Sequence, residues 1–367
     1  MNMHISELDT PALLLDLDIM EHNIAQMAAY CASAHVALRP HIKTHKIPAI
    51  AQRQIAAGAI GIAAAKPSEA AIMADSGIRD IMIAYPIVSA AKAQALASLV
   101  EEGVAISVSI DSPEAANCLS AAAARVHQSF TLLVEIDVGF GRCGVATAQD
   151  AVVLARVIDS LPNVRFGGLM YYPGHMMVKG PEQDRLLTEV NAKVDAAYDA
   201  LTSAGFEVQV VSGGSSPTAL RSTEFSHLTE IRPGMYPLND CNLLKAGFAQ
   251  VEQCALTVLT TVVSTAVKGR AILDGGSKTF SSDRLLTGDG RGFGLILGDP
   301  DAVFYTMSEE HGHLDITGSS IPYKVGKRLA IIPNHVCTTI NMHNTIYAVR
   351  KGVVENIWQV AARGCVS

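Results

Sequence analysis

The segment Arg39-Pro40-His41-Ile42-Lys43-Thr44-His45-Lys46 directly follows a short apolar run, residues 36–38, that predicts a β-strand. Taken alone, a lysine after a buried strand is most often a solvated loop residue. Lys43 becomes a candidate for chemistry because later parts of the chain repeat this arrangement, with an apolar run that ends in reactive side chains. The fold prediction depends on that repetition.

Seven further apolar runs follow residues 36–38, at 60–64, 81–84, 104–110, 132–136, 164–170, 208–211 and 228–231. Alanine-rich amphipathic segments separate most of them and predict helices at 67–76, 89–101, 112–124, 147–160 and 181–204. Alternating strands and helices indicate a parallel sheet. Eight strands predict an α/β fold with a closed (β/α)8 TIM-like barrel, and a doubly wound open sheet is the alternative.

The pattern changes after residue 240. Short β-rich runs at 258–263, 271–273, 302–306 and 329–332 are separated by glycine and polar turns, which predicts a mostly antiparallel β domain. An early apolar run, residues 12–17, precedes the barrel pattern and could join this C-terminal sheet. We therefore predict a barrel domain at residues 18–245 and a β domain formed by residues 1–17 and 246–367.

Composition excludes several classes of partner. The 367-residue chain has a net charge of −7 and no basic cluster, so a nucleic acid is not an expected partner. It has no apolar run long enough to span a membrane, and its N-terminus lacks the pattern of a signal peptide. Seven scattered cysteines indicate a reducing compartment. We expect a cytoplasmic globular protein that acts on a small molecule.

Reactive side chains gather where the predicted strands end, as catalytic groups do in barrels. A glycine-rich turn lets backbone N–H groups approach an anion, and an arginine in a loop can bind an anionic oxygen. Each also has an ordinary structural explanation, a common turn or a loop salt bridge. Of two adjacent tyrosines only one can face the barrel mouth, and we favour the second. The motifs are Lys43, Asp137-Val138-Gly139-Phe140-Gly141-Arg142-Cys143-Gly144, Tyr171-Tyr172, Ser212-Gly213-Gly214-Ser215 and Arg232-Pro233-Gly234-Met235-Tyr236.

The segment Pro333-Asn334-His335-Val336-Cys337 predicts a metal site. On an extended strand, positions i and i+2 point the same way, so His335 and Cys337 would converge. Imidazole and thiolate suit Zn²⁺ best, and two ligands leave positions open for water or substrate. The alternative is a coincidence of strand sequence. His311-Gly312-His313 has the same spacing, but a solvated loop or a substrate contact is the favoured interpretation there.

As a set, these motifs resemble one family, the D-threonine aldolase / D-serine dehydratase-like family of fold-type III pyridoxal 5'-phosphate (PLP) enzymes, which is related to alanine racemase. The motifs that carry the resemblance are residues 39–46, residues 137–144, Tyr172, the turn at 212–215 and the His335-x-Cys337 pair. The resemblance extends from residue 10 to residue 358. It implies a barrel that holds PLP, a β domain that includes the first strand, and a homodimer with the active site near its interface.

The resemblance also implies roles for single residues. Lys43 would bind PLP as a Schiff base and would be a candidate base for the α-proton of the substrate. Arg142 would lie near the phenolic oxygen of PLP, with Tyr172 beside the ring. The phosphate would be bound by Ser212, Gly213, Gly214 and Ser215, with Tyr236 as a further contact. His335 and Cys337 would hold a divalent metal, with Zn²⁺ favoured and Mn²⁺ or Mg²⁺ as alternatives.

Two reactions of β-hydroxy-D-amino acids are consistent with these residues. A metal can polarise the β-hydroxyl, whose loss after removal of the α-proton gives a keto acid and ammonia. If the hydroxyl instead loses its proton, the Cα–Cβ bond breaks in a retro-aldol reaction to glycine and an aldehyde. The resemblance implies His-x-Asp at the metal of most D-threonine aldolases and His-x-Cys in D-serine and 3-hydroxyaspartate dehydratases. We therefore predict a lyase that dehydrates its substrate.

Two other classes remain open, and a third lacks the ligands that it would need. An amino-acid racemase would need a second base opposite Lys43 and no metal. A non-catalytic PLP-binding protein would have no reason to carry the His335-x-Cys337 pair. A metallohydrolase without PLP would need more ligands than the sequence offers.

Overall fold

The computed structural model describes residues 3–286 and 292–367. Its internal contacts divide the chain into two compact units. The barrel unit comprises Gln26–Lys43, Pro48–Gly234 and Cys365–Ser367. The β unit comprises Met1–Ala25, Thr44–Ile47 and Met235–Gly364. The domain limits predicted after residues 17 and 245 stay a prediction.

Eight parallel strands form the sheet of the barrel unit, and their order in the sheet follows their order in the chain. The first strand pairs with the last one. A parallel bridge between His41 and Ala63, with the Ala63 N–H donating to Pro40 O at 2.8 Å, joins the remaining two ends. This closure confirms the predicted TIM-like barrel and excludes the open doubly wound sheet. The strands are Ala37–Leu38, Ile62–Ala64, Asp80–Ile83, Ala105–Ile110, Phe130–Ile136, Val164–Tyr171, Val210–Gly213 and Glu230–Ile231.

Helices connect most of these strands and begin where the sequence supplies a suitable first residue. Ser112 Oγ accepts a hydrogen bond from the Ala115 N–H, and Thr147 and Asp150 cap each other reciprocally. Proline opens the helices that start at residues 67, 113 and 181, where a missing N–H is tolerated. The five predicted helices are confirmed to within one residue at each end. The helices are Leu17–Ser33, Pro48–Ala56, Pro67–Asp75, Ala90–Glu101, Pro113–Arg125, Ala148–Ser160 and Pro181–Ser203.

The last crossover of the barrel differs from the others. A 3-10 helix, Ser216–Glu224, stands between the last two strands, and its Arg221 departs from helical geometry. Side chains in the middle of the barrel are apolar, with Ala63, Met82, Leu133 and Met170 in one buried cluster. This packed interior supports the strand ends on which the candidate functional residues lie.

The β unit contains a mostly antiparallel sheet, as predicted. The early strand Ala12–Asp16 pairs antiparallel with Leu256–Ser264 and parallel with Thr345–Arg350. The expectation that the early strand joins the C-terminal sheet is therefore confirmed. The other strands described are Met3–His4, Arg270–Leu273, Gly294–Ile296, Val303–Met307, Gly312–Asp315, Arg328–Pro333 and Val353–Gln359. Short helices Cys241–Lys245, Ser277–Phe280 and Val336–Met342, and 3-10 turns Ile5–Glu7, Ile42–Thr44 and Val251–Gln253, complete the described elements.

None of the helices in the described ranges is both long enough and apolar enough to cross a membrane.

Candidate active site

Lys43 lies just past the closing bridge of the barrel, in the 3-10 turn Ile42–Thr44. The neighbouring Ile42 is fully buried and anchors this turn, whereas Lys43 itself is half-buried. The Lys43 N–H faces His41 Nδ1 at 3.4 Å. The Lys43 ammonium lies 5.7 Å from the centroid of the Tyr172 ring. A rigid strand end therefore presents the amine beside an aromatic face in the barrel unit.

Tyr172 and Arg142 lie next to each other at neighbouring strand ends. The Arg142 guanidinium is 4.7 Å from the centroid of the Tyr172 ring and 5.4 Å from that of Phe140. Phe140 and Tyr172 meet edge to face, with centroids 5.3 Å apart. Tyr171, by contrast, is fully buried and packs against Phe225. The structure thus brings Lys43, Arg142 and Tyr172 together, and their predicted roles stay predictions.

A tight loop holds Arg142 in this position. Asp137 Oδ1 accepts hydrogen bonds from the N–H groups of Gly139 and Gly141, each at 3.0 Å. Both glycines have positive φ, which a side chain would strain. Partial burial acts to raise the pKa of Asp137, but the Gly141 and Gly139 donors, with Lys193, outweigh it and keep this pKa below its usual value. The carboxylate therefore stays charged and fixes the loop.

Glu135 is a buried carboxyl in the strand that leads to this loop. Its Oε1 lies 4.0 Å from the Arg142 guanidinium, and its Oε2 accepts from Ser109 Oγ at 2.6 Å. Burial raises the pKa of Glu135 above its usual value, although Ser109, Arg232 and Arg142 each act in the opposite direction. No sequence motif pointed to this acid. Glu135 is thus a second carboxyl group near Arg142, in addition to Asp137, and its pKa is raised.

The glycine-rich turn packs closely against neighbouring side chains of the barrel unit. A Cβ on Gly213 would lie 2.3 Å from Tyr171 Cζ, so only glycine fits against that ring. Gly214 has φ +77°, and the Ser215 N–H donates to Thr218 Oγ1 at 2.9 Å at the start of the 3-10 helix. The hydroxyl of Ser212 is buried beneath the turn. The predicted contact of this turn with a phosphate stays a prediction.

The Ser212 hydroxyl belongs to a charged network that sequence reasoning missed. It donates to Glu230 Oε1 at 2.5 Å and accepts from the Arg232 guanidinium. Glu230 also accepts from Arg39 Nε at 2.9 Å, and Arg232 donates to the Tyr171 carbonyl at 2.7 Å. Burial lowers the pKa of Arg232, although Glu230 and Glu135 oppose this effect. A signal was available, because Glu230 and Arg232 are two positions apart around Ile231 and so share one face of a strand.

We expect Glu230→Ala to lower the free energy of unfolding by about 3–5 kcal/mol. The substitution removes the buried carboxylate that pairs with Arg39 and interacts with the charge of Arg232, and it leaves both cations buried without that partner. Urea denaturation measures the loss. The matched control is Glu182→Ala, which removes a 53% exposed carboxylate that also accepts from an arginine Nε, that of Arg185. The control should leave the unfolding free energy nearly unchanged, because water screens an exposed ion pair. Equal losses in the two variants would contradict the role given to Glu230.

His175 is a further residue of the barrel unit, three positions after Tyr172. Its ring is nearly parallel to that of Phe140, with centroids 6.5 Å apart. Partial burial lowers the pKa of His175, while Asp137 and Glu189 act to raise it. Within residues 3–286 and 292–367, His175 Nδ1 and the Tyr171 hydroxyl are buried without a hydrogen-bond partner. The lowered pKa favours the neutral form of the His175 imidazole, which lies beside the Phe140 ring.

Tyr236 belongs to the β unit and is buried, with 5% of its surface exposed. Its carbonyl accepts from Asn239 Nδ2 at 3.3 Å. The predicted contact of Tyr236 with a phosphate stays a prediction.

The local structure of the candidate metal ligands differs from the extended strand that we predicted. The strand Arg328–Pro333 ends before His335, which caps the helix Val336–Met342, and Cys337 lies in the first turn of that helix. The Val336 N–H donates to Asp240 Oδ2 at 3.1 Å, which favours a helix start at that residue. The two side chains still converge and share a hydrogen bond. The extended geometry was wrong, and a helix start brings the pair together instead.

Acidic and hydroxyl groups surround this pair inside the β unit. His335 Nδ1 lies 2.8 Å from Asp283 Oδ2, and Cys337 Sγ lies 3.4 Å from Thr44 Oγ1. Burial acts to lower the pKa of His335, but Cys337, Asp240 and Asp283 outweigh it and raise this pKa to about 10. Asp240 is fully buried, which raises its pKa to about 6. Thr44, Asp240 and Asp283 were not identified from the sequence because they come from distant parts of the chain.

The donor set consists of one imidazole and one thiol. Within the described ranges, no three His, Cys, Asp or Glu side chains form a group that could hold a metal. An imidazole and a thiolate fit Zn²⁺ with coordination positions left for other ligands. His311 is exposed, and His313 lies in the strand Gly312–Asp315 beside Tyr305. The expectation of a solvated loop is wrong for His313.

Two family models match the chain. Residues 15–238 match the model described as "Alanine racemase, N-terminal domain", and residues 255–349 match the "Putative serine dehydratase domain". The D-threonine aldolase of Arthrobacter sp. is 34% identical over 98% of this chain and 94% of its own length. The D-threo-3-hydroxyaspartate dehydratase of Delftia sp. (strain HT23) is 35% identical over 90% of this chain and 92% of its own length.

Solved structures give the same result. The D-threonine aldolase from Filomicrobium marinum superposes with a TM-score of 0.92 at 32% identity, covering 100% of this chain and 99% of the other. A cysteine-to-alanine variant of D-threo-3-hydroxyaspartate dehydratase in a metal-free form has a TM-score of 0.89 at 32% identity, covering 97% and 98%. A second variant of that dehydratase replaces a histidine two positions before the cysteine, with a TM-score of 0.89 at 31% identity and coverage of 98% and 96%.

These matches cover both units of the chain and confirm the resemblance seen in its motifs. The chain therefore belongs to the D-threonine aldolase / D-serine dehydratase-like family of the alanine racemase fold, and it is a PLP-dependent lyase.

Proposed function

We propose that this lyase dehydrates β-hydroxy-D-amino acids to a keto acid and ammonia, with PLP on Lys43 and a divalent metal on His335 and Cys337. The observation that carries the proposal is the His335-x-Cys337 pair. The dehydratase with 35% identity to this chain has solved variants at a histidine and at a cysteine with the same spacing. Zn²⁺ is the metal that this donor pair favours.

The residues of the barrel unit support binding of the cofactor. Lys43 would hold PLP through its Nζ, beside the Tyr172 ring. The Arg142 cation would balance the negative charge of the phenolic oxygen. The turn at Gly213 and Gly214 would receive the phosphate, because glycines let backbone N–H groups approach an anion closely. PLP, when bound, delocalises the charge that develops at the substrate α-carbon.

Side chains of both units would also take part in the chemistry, by holding or moving protons or by holding the metal. Lys43 Nζ is the candidate base for the α-proton. Glu135, 4.0 Å from the Arg142 guanidinium, has a pKa that burial raises, so it would hold a proton more readily than an exposed glutamate. In the β unit, His335 and Cys337 would hold the metal, which when bound acts as a Lewis acid on the substrate hydroxyl.

Retro-aldol cleavage to glycine and an aldehyde is the second candidate. It is supported by the D-threonine aldolase relative at 34% identity and by the aldolase structure with a TM-score of 0.92. Metal binding by His335 and Cys337 does not by itself determine whether the substrate β-hydroxyl leaves or loses its proton. A homodimer stays a prediction that follows from the family.

One assay separates the two reactions. The purified protein, supplied with PLP and with Zn²⁺ or Mn²⁺, is incubated with D-serine, D-threonine or D-3-hydroxyaspartate, and ammonia and glycine are measured in the same samples. L-Serine and L-threonine are the matched controls because they differ only in configuration. We expect ammonia from a D-substrate and none from its L-enantiomer. Glycine without ammonia would overturn dehydration in favour of the retro-aldol reaction.

A further inference from the structure

Asp283 is in direct contact with the candidate metal ligand His335. Asp283 Oδ2 lies 2.8 Å from His335 Nδ1, so Nε2 is the ring nitrogen left for a metal. Both side chains are half-buried, at 40% and 29% exposure, which leaves the pair partly accessible. The contact thus selects one of the two ring nitrogens of His335.

The Asp283 carboxylate is itself held in place. Its Oδ2 also accepts from Thr338 Oγ1 at 2.9 Å, and Thr338 Oγ1 lies 3.1 Å from Ser281 Oγ. The Asp283 carbonyl accepts from Asn334 Nδ2 at 3.0 Å. Asn334 precedes His335 in the sequence and Thr338 follows it, so these two donors fix Asp283 relative to the His335 imidazole. Such an arrangement orients a ligand more precisely than a single contact could.

We infer that Asp283 is a positioning residue for the metal site, acting through His335. The inference rests on the proposed metal at His335 and Cys337. A carboxylate on Nδ1 keeps the proton on that nitrogen, leaves the lone pair on Nε2 and makes it a better donor. Among the residues described, Asp283 does not complete a group of three possible ligands, so it acts on the histidine and not on the metal directly.

Cobalt binding tests this inference without measuring activity. PLP-loaded protein is freed of divalent metal with a chelator and titrated with Co²⁺, whose charge-transfer band with a thiolate reports on Cys337. Competition with a chelator of known affinity gives the dissociation constant. We expect Asp283→Ala to bind Co²⁺ about 10- to 100-fold more weakly than the wild type. Asp283→Asn, whose amide oxygen can still accept from Nδ1–H, should recover part of that loss.

The matched control is Asp315→Ala. Asp315 lies in the same unit and accepts from a threonine hydroxyl, that of Thr317 at 2.7 Å, as Asp283 does from Thr338. Its removal should leave cobalt affinity and the spectrum unchanged. Thr338→Val keeps the Asp283 carboxylate and removes one of its donors, so it tests the inference if Asp283→Ala does not fold. We expect it to weaken cobalt binding several-fold.

The outcomes distinguish the inference from the proposal on which it rests. A wild-type protein without a cobalt–thiolate band would overturn the metal site and this inference together. A normal wild-type band that Asp283→Ala, or Thr338→Val in its place, leaves unchanged in both affinity and shape would overturn the positioning role alone. Circular dichroism on each variant confirms that the comparison is made between folded proteins.

Discussion

Replacing Lys43 by alanine is expected to abolish both lyase activity and the absorbance of a covalently bound cofactor. The amine is the group that would bind PLP and the candidate base for the α-proton. Loss of the base alone lowers a rate by about 10²–10⁴-fold. Loss of the covalent attachment comes in addition, so the variant should show no activity above background. This is the largest effect that we expect from a single substitution in the barrel unit.

The measurement is made in two steps. The absorbance spectrum of the purified variant is compared with that of the wild type after addition of PLP and removal of the excess. The wild-type protein is then reduced with borohydride and digested, and mass spectrometry locates the pyridoxyl group. We expect it on the peptide that contains Lys43.

Lys66 provides the matched control. It follows the strand Ile62–Ala64, and its ammonium lies over the Tyr85 ring, 3.6 Å from the centroid, much as the Lys43 amine lies beside Tyr172. Lys66→Ala should keep the cofactor absorbance. A covalent adduct that persists in Lys43→Ala would refute the assignment of Lys43 as the residue that binds PLP. A pyridoxyl group found on Lys66 would reassign the attachment site to Lys66.

The barrel could be predicted because its signal is local. The period of apolar runs and alanine-rich helices comes from residues that are close in sequence, and the ends of the helices follow from capping groups such as Ser112 and Thr147. Since reactive groups of a barrel lie at its strand ends, the sequence alone places Lys43, Arg142 and Tyr172 in one region. The distances between their side chains agree with that placement.

The contacts beneath the candidate site could not be predicted in the same way. Arg39, Ser212 and Glu230 form one buried network although up to 191 residues separate its members in sequence. Each looks like an ordinary polar residue at a strand end. What makes the set stable is the mutual compensation of buried charges, which depends on the closed barrel and not on any local pattern.

For the candidate metal ligands His335 and Cys337, the residues were predicted but their local structure was not. The two were identified correctly as neighbours, but from a geometry that does not occur. Residues 329–332 have the apolar pattern of a strand, and the pattern gave no reason to end it before His335. The helix start is fixed by Asp240, which accepts the Val336 N–H and lies 96 residues earlier in the chain. A tertiary hydrogen bond thus overrides the local pattern.

Removal of the divalent metal is expected to lower lyase activity strongly while the cofactor absorbance remains. His335 and Cys337 belong to the β unit, and Lys43 belongs to the barrel unit, so a chelator should leave the covalent attachment of PLP intact. A metal that polarises the substrate hydroxyl contributes several kcal/mol, so the rate should fall by about 10²–10³-fold. Adding Zn²⁺, Mn²⁺ or Mg²⁺ back separately, with elemental analysis of each sample, shows which ion restores the rate.

Two histidine variants make this test more specific. His335 belongs to a His-x-Cys pair and His313 to a His-x-His pair, and both pairs lie in the β unit. His335→Ala should lose metal and activity together, and added metal should not restore the rate at concentrations that suffice for the wild type. His313→Ala should retain both, since the His313 ring lies beside Tyr305 in the strand Gly312–Asp315 and has no proposed part in the metal site. Full activity in metal-free wild type would contradict a metal-dependent reaction and would favour chemistry that Lys43 performs with PLP alone. Loss of metal in His313→Ala, and not in His335→Ala, would move the site to the other pair.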